Sequence, residues 1–131
     1  MPNDYLEFNV PHPQSINGAA LSSYVAIIDL SGELSASAGE ALDRVFVQAR
    51  QQNPSIILLN FGGVSYINST GIALIIGLMM QATKAGLRLM ACGLTDHYEK
   101  IFQLARLSEY IGMFPDEANA LSGVRANGFQ I

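Results

Sequence analysis

Residues 5 to 10, YLEFNV, alternate apolar and polar positions, with Leu6, Phe8 and Val10 on one face, the two-residue period of a half-buried strand. A loop rich in Pro, Ser, Asn and Gly is expected from Pro11 to Ser23, followed by a second strand at YVAIIDL, Tyr24 to Leu30, ended by Gly32. The two strands are expected to pair as an antiparallel edge. In SASAGEALDRVFVQARQQ, Ala38, Leu42, Val45, Phe46 and Ala49 fall at helical spacing, which predicts a first helix over about 37 to 52, closed by Asn53 and Pro54. SIILLNF, Ser55 to Phe61, is apolar without alternation, as expected of a strand covered on both faces in the middle of a parallel sheet. Gly62 and Gly63 then predict a tight turn. A second helix follows over about Thr70 to Ala85, with Gly86 where a left-handed residue commonly ends a helix. LRLMACG, Leu87 to Gly93, is another strand. Thr95 or Asp96 can cap a third helix, with Glu99 in capping-box register with Asp96 and a buried stripe of Tyr98, Ile101, Phe102 and Ala105. EYIGMF predicts a short final strand, and DEANALSGV opens a last helix with acids in its first turn, where the helix dipole favours them.

Strands alternating with helices predict an α/β fold: a mixed, mainly parallel sheet of four to five strands with about four helices. The 131 residues, half of them hydrophobic, are expected to form one domain over 1–131, with an N-terminal strand and loop over 1–23 and a core over about 24–126.

Charge narrows the partners. Seven Lys plus Arg stand against 11 Asp plus Glu, a net charge of −4, and no basic run occurs, so nucleic acid is not expected. The start, MPNDYLEF, lacks a secretory pattern, and the longest apolar run falls short of the roughly twenty residues that span a bilayer, so no membrane insertion and a cytoplasmic location are expected. A single cysteine, Cys92, has no internal disulfide partner and reads as a buried inert thiol before a redox group. His12 and His97 have no ligand at metal spacing and read as surface residues; no metal and no cofactor is expected. Phosphate-loop, dinucleotide and nucleophile-elbow motifs are absent, which disfavours an enzyme. Asn68 to Thr70 match a glycosylation acceptor only by chance in a chain without a secretory start.

The stretch NSTGIALIIGLMM, Asn68 to Met80, sets hydroxyls at the mouth of an apolar helix. One of Asn68, Ser69 and Thr70 suffices to cap it. On a helical wheel Ile72, Ile75, Leu78, Met79 and Ala82 cover a core face, Thr70, Gly77, Gln81 and Lys84 point away, and Leu74 and Met80 flank the polar side as surplus apolar surface. Those flanks either pack under neighbouring helices or form a docking patch that a modified hydroxyl could control.

Four segments in order, SGEL (Ser31 to Leu34), GVSYINSTGIALI (Gly63 to Ile75), GLRLMACGL (Gly86 to Leu94) and KIFQLARLSEYIGMF (Lys100 to Phe114), resemble the STAS domain family, and within it the bacterial anti-sigma factor antagonists. The resemblance implies a regulatory module without catalytic activity of its own. It would bind an anti-sigma factor that is also a serine kinase, be expelled when that kinase phosphorylates it with ATP, and be reset by a cognate phosphatase. The acceptor position of the motif maps onto Ser69, with Thr70 as second choice. The partner-binding set is Ser35, Asn68, Ser69, Thr70, Gly71, Leu74, Leu78 and Met80.

Asn68 and Ser35 stand where many members carry Asp, which removes negative charge near the acceptor. Leu78 and Met80 lie where relatives resembling the sporulation antagonist tend to be charged, which favours a homodimer or a larger, stressosome-like STAS assembly. Two other readings stay open: a non-switching STAS interaction domain of a stressosome-like or transporter-associated assembly, with Ser69 only a cap, and an enzyme or small-ligand receptor that uses the Gly62 to Gly71 loop as an anion cradle.

Overall fold

The apolar runs become neighbouring strands of one sheet, and the amphipathic segments become helices laid over it. The computed structural model describes residues 6–8, 12–15 and 24–126, with side chains from 25 to 123. The order is β1 (Leu6–Phe8), β2 (His12–Ser15), β3 (Tyr24–Leu34), α1 (Gly39–Arg50), β4 (Ile56–Ile67), α2 (Ser69–Ala85), β5 (Arg88–Cys92), α3 (Asp96–Leu104), β6 (Ile111–Phe114) and α4 (Glu117–Ala126). Short 3-10 turns at Ala36–Ala38 and Leu107–Glu109 precede α1 and β6. Strands β3, β4, β5 and β6 are parallel neighbours in that order, and β1 and β2 both pair antiparallel with β3. The fold is therefore α/β with a mixed, mainly parallel sheet, as the sequence pattern predicts.

Alternation along the strands sorts two cores. Ala26, Ile28, Leu30, Ile57, Leu59 and Phe61 face α1, α2 and α3, packing with Phe46, Ile75, Leu78 and Phe102. The Phe61 and Phe102 rings meet edge to face at 5.8 Å. Val25, Ile27, Ile56, Leu58, Met90 and Cys92 face the other way, in a cluster with Phe114 and with Ala120 and Leu121 of α4. Burying each large side chain contributes about 1.5–3 kcal/mol. Cys92 is fully buried, and burial, followed by the negative charges of Glu117, Asp116 and Asp29, pushes its thiol up to about 12. Such a thiol stays protonated and unreactive, in keeping with the inert reading.

Four sequence expectations need correction. The Pro11 to Ser23 stretch is not all loop: His12–Ser15 pairs with β3 from Ile27 back to Tyr24, and an edge strand tolerates Pro13 because only one side need bond. Tyr5, Asn9, Val10 and residues 16–23 lie outside the described residues. Strand β3 does not stop at Gly32 but continues to Leu34, Gly32 supplying φ of 95° within it. The double glycine makes no tight turn: β4 runs through it to Ile67. In α3 the cap is Thr95, whose hydroxyl accepts the Tyr98 N–H at 3.3 Å, so Asp96 and Glu99 are not a capping box, and Ala105 ends the helix exposed.

Candidate functional site

Two extra residues in β4 build the site. Asp29 pairs with Asn60 but Ser31 with Gly63, and Gly32 pairs with Val64 but Glu33 with Tyr66, so β4 bulges twice against β3. Gly63 is required at the first bulge, since a Cβ there would lie 2.9 Å from both the Leu30 carbonyl oxygen and the Ser31 Cβ. Strand β5 pairs only with Ile56 to Asn60, so the rest of β4 projects beyond it. On the side β5 leaves, the Tyr98 hydroxyl accepts the Ile67 N–H at 3.1 Å.

The projecting end delivers α2 against the end of β3. The Asn68 N–H donates to the Leu34 carbonyl at 3.2 Å. A Cβ on Gly71 would run into that same carbonyl oxygen, so glycine alone lets the helix come this close. Asn68 is extended, and its side-chain oxygen accepts the Gly71 N–H at 2.8 Å. The cap is thus Asn68, which removes the reading of Ser69 as the capping residue. At the other end Gly86 takes φ of 74°, and the N–H groups of Gly86 and Leu87 return to Thr83 and Ala82, the expected left-handed stop.

Ser69 is the first helical residue, and it and Thr70 are exposed; neither hydroxyl has a hydrogen-bond partner among the described residues. Their own N–H groups are likewise unbonded there, so the helix start presents free donors and the positive end of its dipole beside the Ser69 hydroxyl. Ser35 lies near by in chain topology, just past β3, with its Oγ 3.3 Å from that of Ser37. Gly71 and Leu78, expected to touch a partner, are buried: Gly71 serves the close approach to Leu34, and Leu78 is 1% exposed in the core. Leu74 is half-buried beside Gly39 of α1, and Met80 is exposed. Met80 follows Ser69 by eleven positions, about 16 Å along the axis at 1.5 Å per residue, so these two belong to different ends of the helix.

Tyr66 is the residue the pattern misses. It is 48% exposed, two positions before the Asn68 cap, on the bulged part of β4. The double glycine is the signal that could have revealed it, since glycines inside a strand mark bulges as readily as turns. Among the described residues no group of His, Cys, Asp and Glu could hold a metal ion, and no helix is long and apolar enough to cross a membrane.

A family model of the STAS domain matches residues 15–120. The chain belongs to the STAS domain family. It is 27% identical over 82 residues to the anti-sigma-B factor antagonist of Staphylococcus aureus, covering 63% of this chain and 76% of that protein. Among solved structures, the anti-sigma factor antagonist SpoIIAA in its unphosphorylated form superposes with a TM-score of 0.62 at 22% identity, over 88% of this chain and 97% of that one. The Bacillus cell fate determinant SpoIIAA in its phosphorylated form gives 0.60 at 23% identity, over 87% and 98%. At these identities the structural likeness shows a shared STAS fold.

Proposed function

We propose that this STAS domain is an anti-sigma factor antagonist of the cytoplasm, which binds an anti-sigma factor serine kinase through the surface around Ser69 and is switched by phosphorylation of that serine, a phosphatase restoring it. The observation that carries the reading is the division of labour at the α2 start: Asn68 holds the cap, leaving the Ser69 hydroxyl exposed and unbonded among the described residues. The resemblance to antagonists of known name supports the partner class.

A phosphate on Ser69 adds about −1.5 to −2 charge at neutral pH. The free N–H groups and dipole of α2 accommodate that charge, so the host fold survives. A partner packed over Ser69, Thr70 and Ser35 would have to desolvate the same dianion. A differential cost of roughly 3 kcal/mol lowers affinity about a hundredfold. Tolerance inside the domain and repulsion across the contact together make a switch.

The test is intact-mass analysis of the purified chain incubated with ATP and candidate serine kinases, together with capture of the kinase by wild-type, Ser69→Ala and Ser69→Glu baits. One added phosphate on wild type and none on Ser69→Ala, with capture kept by Ala and weakened by Glu, is the expected result. Equal capture by all three baits with no added phosphate would overturn the switch.

A further inference from the structure

Strand β4 starts at Ile56 and hands over to Ser69 only after Ile67, so its two ends open on opposite ends of the sheet. At the end away from Ser69 lies a cavity of about 380 Å³, between the C-terminal ends of α1 and α2 and the start of β4. Arg50, Asn53 and Ser55 supply its polar side chains, and Pro54, Ala85 and Leu87 its apolar walls. Two helix stops bring these residues together. Asn53 takes φ of 54° after α1 and Gly86 takes φ of 74° after α2, and the returning segments run side by side, the Arg88 N–H donating to the Ser55 carbonyl at 3.3 Å. Backbone carbonyls at both helix ends are bonded from within: Val47, Ala49 and Arg50 accept the N–H groups of Gln51, Gln52 and Asn53, and Ala82 and Thr83 those of Leu87 and Gly86.

The side chains are in a different state. Those of Arg50, Asn53 and half-buried Ser55 have no hydrogen-bond or ion-pair partner among the described residues. A guanidinium, an amide and a hydroxyl, all donors, thus face one space with nothing in the domain to receive them. Lys84 is likewise unpaired there, and it shares an adjoining depression with Arg50. No acid lines either space, in a chain whose net charge is −4. A helix dipole favours a base in the last turn, and a left-handed turn favours Asn at 53. Neither preference accounts for their opening, together with Ser55, onto one cavity.

Two cations without an acid suit a dianion better than a single carboxylate, and a guanidinium can grip a phosphate through two parallel N–H donors. The volume falls in the range of small-molecule sites, roughly 300–1,000 Å³, so there is room for more than a bare ion. Pro54, Ala85 and Leu87 offer no aromatic face, which leaves a nucleobase nothing to stack on and suits a short aliphatic or polyol body. We propose that this cavity binds the phosphate monoester of a small, non-aromatic alcohol. Arg50 holds the phosphate, Ser55 and Asn53 donate to it, and Lys84 adds charge from the adjoining depression. Soluble polyol phosphates and the headgroup of phosphatidic acid both carry this group. The site lies at the far end of the sheet from Ser69 and stands independently of the phosphorylation reading.

Two titrations of the full chain separate the carriers: calorimetry with glycerol 3-phosphate, with glycerol as the blank, and co-sedimentation with phosphatidylcholine vesicles containing phosphatidic acid. Binding to one of them with a Kd of about 1 mM or tighter is expected. Arg50→Gln should weaken it about tenfold or more and Ser55→Ala about fivefold, while Arg106→Gln, outside the cavity, should leave it unchanged. Circular dichroism verifies that each variant stays folded, since neither the Arg50 nor the Ser55 side chain bonds anything within the described residues. Acidification through about pH 6 should weaken binding severalfold, because the ester there takes up its second proton and loses a charge. Absence of binding to both carriers, binding that survives Arg50→Gln and Ser55→Ala, or an equal loss in Arg106→Gln overturns the proposal.

Discussion

The two halves of β4 belong to one strand and do opposite work. Ile56 to Phe61 is buried at every position except half-buried Asn60, paired with β3 on one side and, through Asn60, with β5 on the other. Gly62 to Ile67 is mostly exposed, bulged twice against β3, and beyond the reach of β5. The regular half fixes where the sheet is. The irregular half carries the chain out of it and aims α2, so the candidate site lies where pairing has been relaxed and side chains are free to meet another molecule. The same contrast recurs within α2, whose Ile75, Leu78 and Ala82 are buried while Ser69, Thr70 and Met80 are exposed.

The largest effect should separate the halves directly. Leu58→Ala removes a fully buried side chain and is expected to cost about 3 kcal/mol, whereas Tyr66→Ala in the exposed half should stay within about 0.5 kcal/mol. Urea unfolding of both variants measures this, and equal losses would abolish the distinction. Next comes the junction where the irregular half hands over to α2. Gly71→Ala forces a methyl into the Leu34 carbonyl and should cost about 2 kcal/mol, read as a lower midpoint in the same titration. Least disruptive is the cap itself. Asn68→Ala should lose about 1 kcal/mol while Asn68→Asp retains the cap, and Ser69→Ala should change stability by less than about 0.5 kcal/mol. Thermal melts decide which residue caps, because a larger loss at Ser69 than at Asn68 would return the capping role to the serine.

Much of the fold was legible in particular residues. The unbroken apolar run of Ser55 to Phe61 marked an interior strand, Gly86 marked the end of α2, and Pro54 followed the end of α1. The candidate site was legible in part. Ser69 and Thr70 stood out as hydroxyls clustered at the mouth of an apolar helix, the STAS resemblance singled out Ser69 as acceptor, and both emerge exposed. The helical wheel already set Leu78 on the core face of α2, where it lies 1% exposed; only the partner-binding set given after the family resemblance placed it at a contact. Tyr66 was overlooked because glycines that admit a turn also admit a bulge, and the choice depends on β3 lying alongside. Tyr98 could not be connected to Ile67, thirty-one positions away, by any local pattern.

By itself the sequence determined the periods of its elements, their order, and the presence of a hydroxyl cluster at one helix mouth, since each depends on side-chain size and polarity within a few neighbouring residues. The tertiary structure alone decided that Asn68 and not Ser69 closes the helix, that Gly71 must stay bare against Leu34, and that the Tyr98 hydroxyl meets the Ile67 N–H. Those outcomes rest on distances between segments far apart in the chain, and such distances exist only once the sheet has brought the segments together.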